Sequence, residues 1–106
     1  MEVSKQDWRL FREKLPGWQE AYMERLNREY IAILDGEGTP SDKFWKLFER
    51  IRHDKQSRGV MLQLSKQHMI WDIVAMINDG VITFDEVEGF SEELKDTVQH
   101  LCSKDF

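Results

Sequence analysis

The sixteen residues from Ser65 to Gly80, SKQHMIWDIVAMINDG, constrain the fold more than any other stretch of the chain. Placed at about 100° per residue, Met69, Ile70, Trp71, Ile73, Val74, Ala75, Met76 and Ile77 fill nearly the whole circumference. Only His68, Asp72 and Asp79 share a polar wedge, about 40° wide. A helix that is apolar almost all round must be covered almost all round. It is too short to cross a bilayer and carries charges, so its cover is expected to be other helices of the same chain or of a partner. The expected architecture is therefore an all-α, single-domain bundle over residues 1–106, with five or six helices around a central buried helix at 66–79.

Composition supports a core of that kind. The chain has 106 residues, 41% hydrophobic, with four Trp, six Phe and two Tyr, enough to fold without disulfides or metal. Cys102 is the only cysteine, so no internal disulfide forms. The chain opens without a charged segment followed by an apolar one, and no apolar run approaches about eighteen residues. The expectation is a soluble, cytoplasmic protein with no membrane partner.

The flanking elements read as follows. Ser4 caps a first helix whose face carries Trp8, Phe11 and Leu15. Pro16-Gly17 predicts a break, because proline removes a hydrogen bond and crowds the Arg12 carbonyl, and a second helix then runs from about Pro16 to Leu34. The apolar stripe keeps its phase across the break through Trp18, Tyr22, Leu26 and Ile33, so one kinked helix is the alternative. Asp35 to Gly38 form a loop, and Thr39-Pro40-Ser41-Asp42 start a third helix. Phe44, Leu47, Phe48 and Ile51 make its apolar arc, and it is expected to fray toward Gly59. Val60, Leu62 and Leu64 alternate with Met61 and Gln63, which predicts a short extended segment over 60–64.

Gly80 is placed to end the core helix in a left-handed conformation, with Val81 reaching back to Met76. Thr83 and Glu86 read as a capping box for a short helix over Phe84 to Glu88, and Ser91 as the cap of a last helix with Leu94, Val98 and Leu101 on one stripe.

Few residues point to chemistry. Asn78 to Glu86 looks like the second half of an EF-hand loop, but the first two liganding positions would fall on Ala75 and Ile77, which offer no side-chain oxygen. His53, His68 and His100 do not pair at a ligand spacing, and His100 and Cys102 point about 200° apart on a helix. His68 and Asp72 are the better local pair. No nucleophile elbow, phosphate loop or dinucleotide turn is present, so no metal, no cofactor and no enzymatic activity are expected.

Charge, in contrast, is segregated. Residues 1–42 carry a net −3, 43–68 a net +5 and 69–106 a net −7. Trp45, Lys46, Arg50, Arg52, His53, Lys55 and Arg58 form the densest basic cluster, with Trp45 beside it as an interface anchor or stacking platform. The leading expectation is an interaction module that binds another protein or itself, with a homodimer favoured. The alternative is a regulator that contacts nucleic acid through the basic 46–58 segment. An enzyme whose site is assembled in space comes third.

Three segments carry a family likeness: Trp18-Gln19-Glu20-Ala21-Tyr22, Asp42-Lys43-Phe44-Trp45 and Ile77-Asn78-Asp79-Gly80-Val81-Ile82-Thr83. On these the chain resembles a group of short, uncharacterised all-helical proteins of Gram-positive bacteria, some carried under a multidrug-transporter label. The resemblance implies a helical fold and no activity, since the matching residues pack and cap. The transporter label conflicts with the missing apolar span.

Overall fold

Helix signals dominate the chain, and every regular element among the described residues is helical, with no strand. The computed structural model describes residues 2–103. Four α-helices occur: α1 (Lys5–Asp35), α2 (Pro40–Asp54), α3 (Met69–Asn78) and α4 (Glu92–Ser103). Two single 3₁₀ turns, Lys66–His68 and Phe84–Val87, precede α3 and α4.

The expected break at Pro16 does not occur. One helix of 31 residues runs through it. Phe11, Leu15 and Trp18 lie on one side of this helix and are all buried, whereas Pro16 and Gly17 face solvent. Proline inside a helix costs about 3 kcal/mol. Burying each of those large side chains returns about 1.5–3 kcal/mol, and the stripe stays in register only if the helix continues. Packing therefore overrides the local breaker, and two expected helices become one.

A straight helix of that length spans about 46 Å, and it sets the shape of the molecule. The longest dimension is 52 Å against 29 and 21 Å for the others. The radius of gyration is 16.4 Å, above the roughly 13 Å of a compact chain of this size. α1 is a spine with two loads on it. Its first half packs with α3, α4 and the 3₁₀ turns around Phe11, Met69, Ile73, Met76, Val87, Leu94 and Val98, all essentially inaccessible. Its second half carries α2, and near the midpoint Arg25 donates to the Gly80 and Val81 carbonyls at 2.7 and 3.2 Å, tying the spine to the end of α3.

The short connection after Asp35 returns α2 antiparallel along α1. Thr39 and Asp42 exchange both capping-box bonds, Asp42 N–H to Thr39 Oγ1 at 3.1 Å and Thr39 N–H to Asp42 Oδ2 at 3.4 Å. α2 ends at Asp54 and a series of turns follows through Val60. Gly59 is buried there against the Tyr22 ring, where a β-carbon would overlap the ring atoms. The extended segment expected over 60–64 forms no strand among the described residues. The chain is irregular from Met61 to Ser65, Leu62 leans on the core, and Met61 and Leu64 are exposed.

α3 stops as its sequence dictates. Gly80 has φ 77°, its N–H donates to the Ile77 carbonyl at 3.1 Å, and Val81 N–H donates to Met76 at 2.8 Å, the paired bonds of a Schellman stop. The Thr83 and Glu86 capping box does not form. Thr83 makes no side-chain cap, and Glu86 instead accepts from Trp18 Nε1 at 3.2 Å. At α4, Ser91 Oγ accepts from Leu94 N–H at 3.2 Å, and buried Asp7 accepts from both Ser91 N–H (2.9 Å) and Ser91 Oγ (2.6 Å). That carboxylate ties the start of α1 to the start of α4, where it also meets the positive end of a helix dipole.

Candidate interaction surface

α2 is amphipathic, yet the only residue it buries is Asp54. Its apolar arc faces outward: Phe44 is 60% exposed, Trp45 57%, Phe48 48% and Ile51 44%, and Leu47 alone is half-buried against α1. Phe44 and Trp45 meet edge to face at 5.0 Å between centroids, and Trp45 and Phe48 at 5.8 Å, so the three rings form one ordered cluster. On α1, Ile31 and Leu34 are likewise exposed.

Helical geometry puts these residues on one side. Measured from inward-facing Leu26, Leu34 and Ile31 lie at about 80° and 140° on α1. Measured from Leu47, Ile51, Phe44 and Phe48 lie at about 40° to 100° on α2. The sense of rotation reverses between antiparallel helices, so both sets project from the same face of the hairpin. The opposite face carries Ala32 and Lys46, which line a shared surface depression.

Polar contacts, rather than buried apolar area, hold α2 in place. Asp54 accepts from Tyr30 Oη at 2.6 Å, from Arg50 at 3.4 Å and from a His53 ring nitrogen at 3.2 Å. Arg50 also donates to Glu29 at 2.8 Å and lies over the Tyr30 ring. Burial raises the Asp54 carboxyl, but the Tyr30 and His53 hydrogen bonds and the Arg50 charge outweigh it, and the net shift is downward. Tyr30 is held above its ordinary range by desolvation and by its bond to Asp54.

The structure divides the basic cluster. Arg50, His53 and Arg58 turn toward carboxylates of the same chain, Arg58 donating to Asp72 Oδ1 at 2.8 Å across to α3. Lys46, Arg52 and Lys55 face solvent, Arg52 within 3.6 Å of Glu49, and Trp45 belongs to the aromatic cluster. His68 does not meet Asp72. Its ring pairs with Ser65 Oγ at 3.1 Å, and the polar wedge is rearranged so that Asp72 is buried and Trp71 is 58% exposed.

Phe44, Phe48 and Ile51 read from sequence as the apolar arc of their helix, and Ile31 and Leu34 are not singled out. The signal that marks them as uncovered is the short loop at 36–39: it confines α2 to the distal half of α1, which offers only a narrow stripe to cover it. Ala75 and Ile77 lie inside α3, so the loop-like stretch after them begins as helix. Among the described residues no three His, Cys, Asp or Glu gather as metal ligands, and no helix is long and apolar enough to cross a membrane. No family model, curated protein or solved structure matches the chain.

Proposed function

We propose that the protein is a small helical interaction module that self-associates through the outer face of the α1–α2 hairpin. The bundle gathered on α3 serves as its rigid base. The observation that carries this reading is the aromatic face of α2: an ordered cluster of large apolar side chains, on the same face of the hairpin as Ile31 and Leu34, that stays exposed among the described residues. Such clusters of Trp and Phe, with Arg at the rim, are the anchors of protein interfaces.

Charge favours a second copy as the occupant. Glu24 flanks the face on α1, and Arg52 on α2 and Lys55 just past its end flank it on the other side; counted from the Tyr30–Asp54 contact, Lys55 stands about 7 Å along the axis from Glu24, within reach of two extended side chains. The Glu24–Arg28 and Arg52–Glu49 pairs are exposed on both sides and leave these charges available. A twofold axis parallel to the hairpin lays α1 of one copy over α2 of the other, and each acidic flank meets a basic one.

Sedimentation equilibrium across the micromolar range tests this. The expected result is a dimer that Phe44→Glu combined with Phe48→Glu converts to a monomer of unchanged helicity, because both positions lie outside the core. Glu24→Lys and Lys55→Glu should each weaken the dimer, and mixing the two variants should restore it as a heterodimer. A wild-type monomer throughout overturns the reading.

A further inference from the structure

Beneath the turns that follow α2 lies an open cavity of about 480 Å³, lined by Arg58, Met61, Gln63, Trp71 and Asp72 among others. It lies outside the aromatic face of the hairpin. Two features of it have no use in the fold as described. Asp72 is 5% exposed and takes one donor, Arg58 Nε, on Oδ1. Its second oxygen, Oδ2, is the only buried side-chain polar atom among the described residues without a hydrogen-bond partner. A buried acceptor left unmatched is costly, and native structures supply such atoms with a partner. The second feature is Trp71. Met69, Ile70, Ile73, Val74 and Met76 of the same helix are all nearly inaccessible, yet Trp71 stands open on the cavity wall, with Met61, 64% exposed, nearby.

We propose that this cavity binds a small organic amine: a primary ammonium that donates to Asp72 Oδ2, carried on a flat apolar body that lies along Trp71 and Met61. An ammonium supplies donors and no acceptor, which is what Oδ2 lacks, and the face of an indole attracts a cation. The cavity volume lies in the range of small-molecule sites, which are apolar pockets with few convergent polar groups. Arg58 does not turn the site toward anions. Its charge is directed onto Asp72 at 2.8 Å, so an incoming carboxylate meets the Asp72 carboxylate beside it. Asp72 is part of the cavity lining and its Oδ2 is closed off from solvent, so the ammonium reaches it by a local shift of the lining that leaves the Arg58–Oδ1 bond in place.

Two probes with the same phenylethyl skeleton and opposite charge test the assignment. Phenethylamine and hydrocinnamate are titrated into the full chain, and the indole N–H resonances of its four tryptophans are followed by two-dimensional NMR, with Trp71 assigned from Trp71→Phe. The expected result is a saturable shift of the Trp71 indole with phenethylamine and none with hydrocinnamate. Trp71→Ala, an exposed change that leaves the fold intact, should weaken phenethylamine binding at least tenfold, and Asp72→Asn should abolish it. Three results overturn the proposal: hydrocinnamate binding as well or better, phenethylamine failing to saturate at millimolar concentration, or Trp71→Ala binding unchanged. Failure of dimerisation would leave it untouched, because the cavity is complete within one chain.

Discussion

The two halves of α1 carry similar sequence and meet different fates. In the proximal half Phe11, Leu15 and Trp18 are sealed by α3, α4 and the turns between them. In the distal half Leu26 alone is buried, and α2, which brings Phe44, Trp45, Leu47, Phe48 and Ile51, buries none of them. The distal helix segregates its apolar residues onto one face as sharply as α4 does. What differs is the number of neighbours: a core needs a second layer on each face, and a two-helix hairpin has only one. The proximal half is therefore held by apolar burial, and the distal half by Asp54, Tyr30, Arg50 and Glu29.

That contrast is most sharply tested by removing one ring from each half. Phe11→Ala opens a hole in a fully packed site and should cost about 3–5 kcal/mol in a urea melt. Phe44→Ala should change monomer stability by about 0.5 kcal/mol or less, with any larger effect depending on protein concentration. Equal costs at both positions would mean that the hairpin face is covered within one chain.

A smaller effect is expected where α3 ends. Gly80 sits at φ 77° with open space around its missing β-carbon, so Gly80→Ala should cost about 1 kcal/mol through backbone strain alone. Because α3 belongs to the proximal core, the loss should appear in the global melt. An unchanged midpoint would show that the stop tolerates a side chain.

The smallest effect is expected to be local to the hairpin and set by pH. Asp54 is lowered in the folded state, so its contribution is present above the ordinary carboxylate range and is lost as pH falls through its folded value. Tyr30 is raised, so its contribution is present below its ordinary value near 10 and declines as pH rises beyond that. Amide exchange in α2 should therefore quicken below about pH 4 and above about pH 10, relative to its own neutral-pH protection. Protection in α2 that stays flat across both limits would remove Asp54 and Tyr30 from the account of how the hairpin is held.

Much of the chain was legible residue by residue. The caps at Ser4, Thr39 and Ser91 and the stop at Gly80 each depend on groups within four or five residues, and the local sequence contains all of them. Of the interaction surface, sequence singled out Trp45 and the basic residues around it, and gave Phe44, Phe48 and Ile51 only as the apolar arc of their helix. An amphipathic helix announces that one face will be covered and says nothing about what covers it.

By itself, then, the sequence determined that the chain is helical, where most helices begin and end, and which faces are apolar. Only the tertiary structure decided that α1 runs through Pro16, since the gain from burying Leu15 and Trp18 in one register comes from helices more than fifty residues away. It also decided that Glu86 serves Trp18 instead of its own turn, that Asp7 holds the Ser91 cap of α4, and that Asp72 is buried beneath Arg58 while Trp71 stays open. The physical reason is common to all of these. Hydrogen bonds that close a turn are fixed by neighbours in the chain, whereas the burial of a side chain is set by whatever the rest of the fold brings against it.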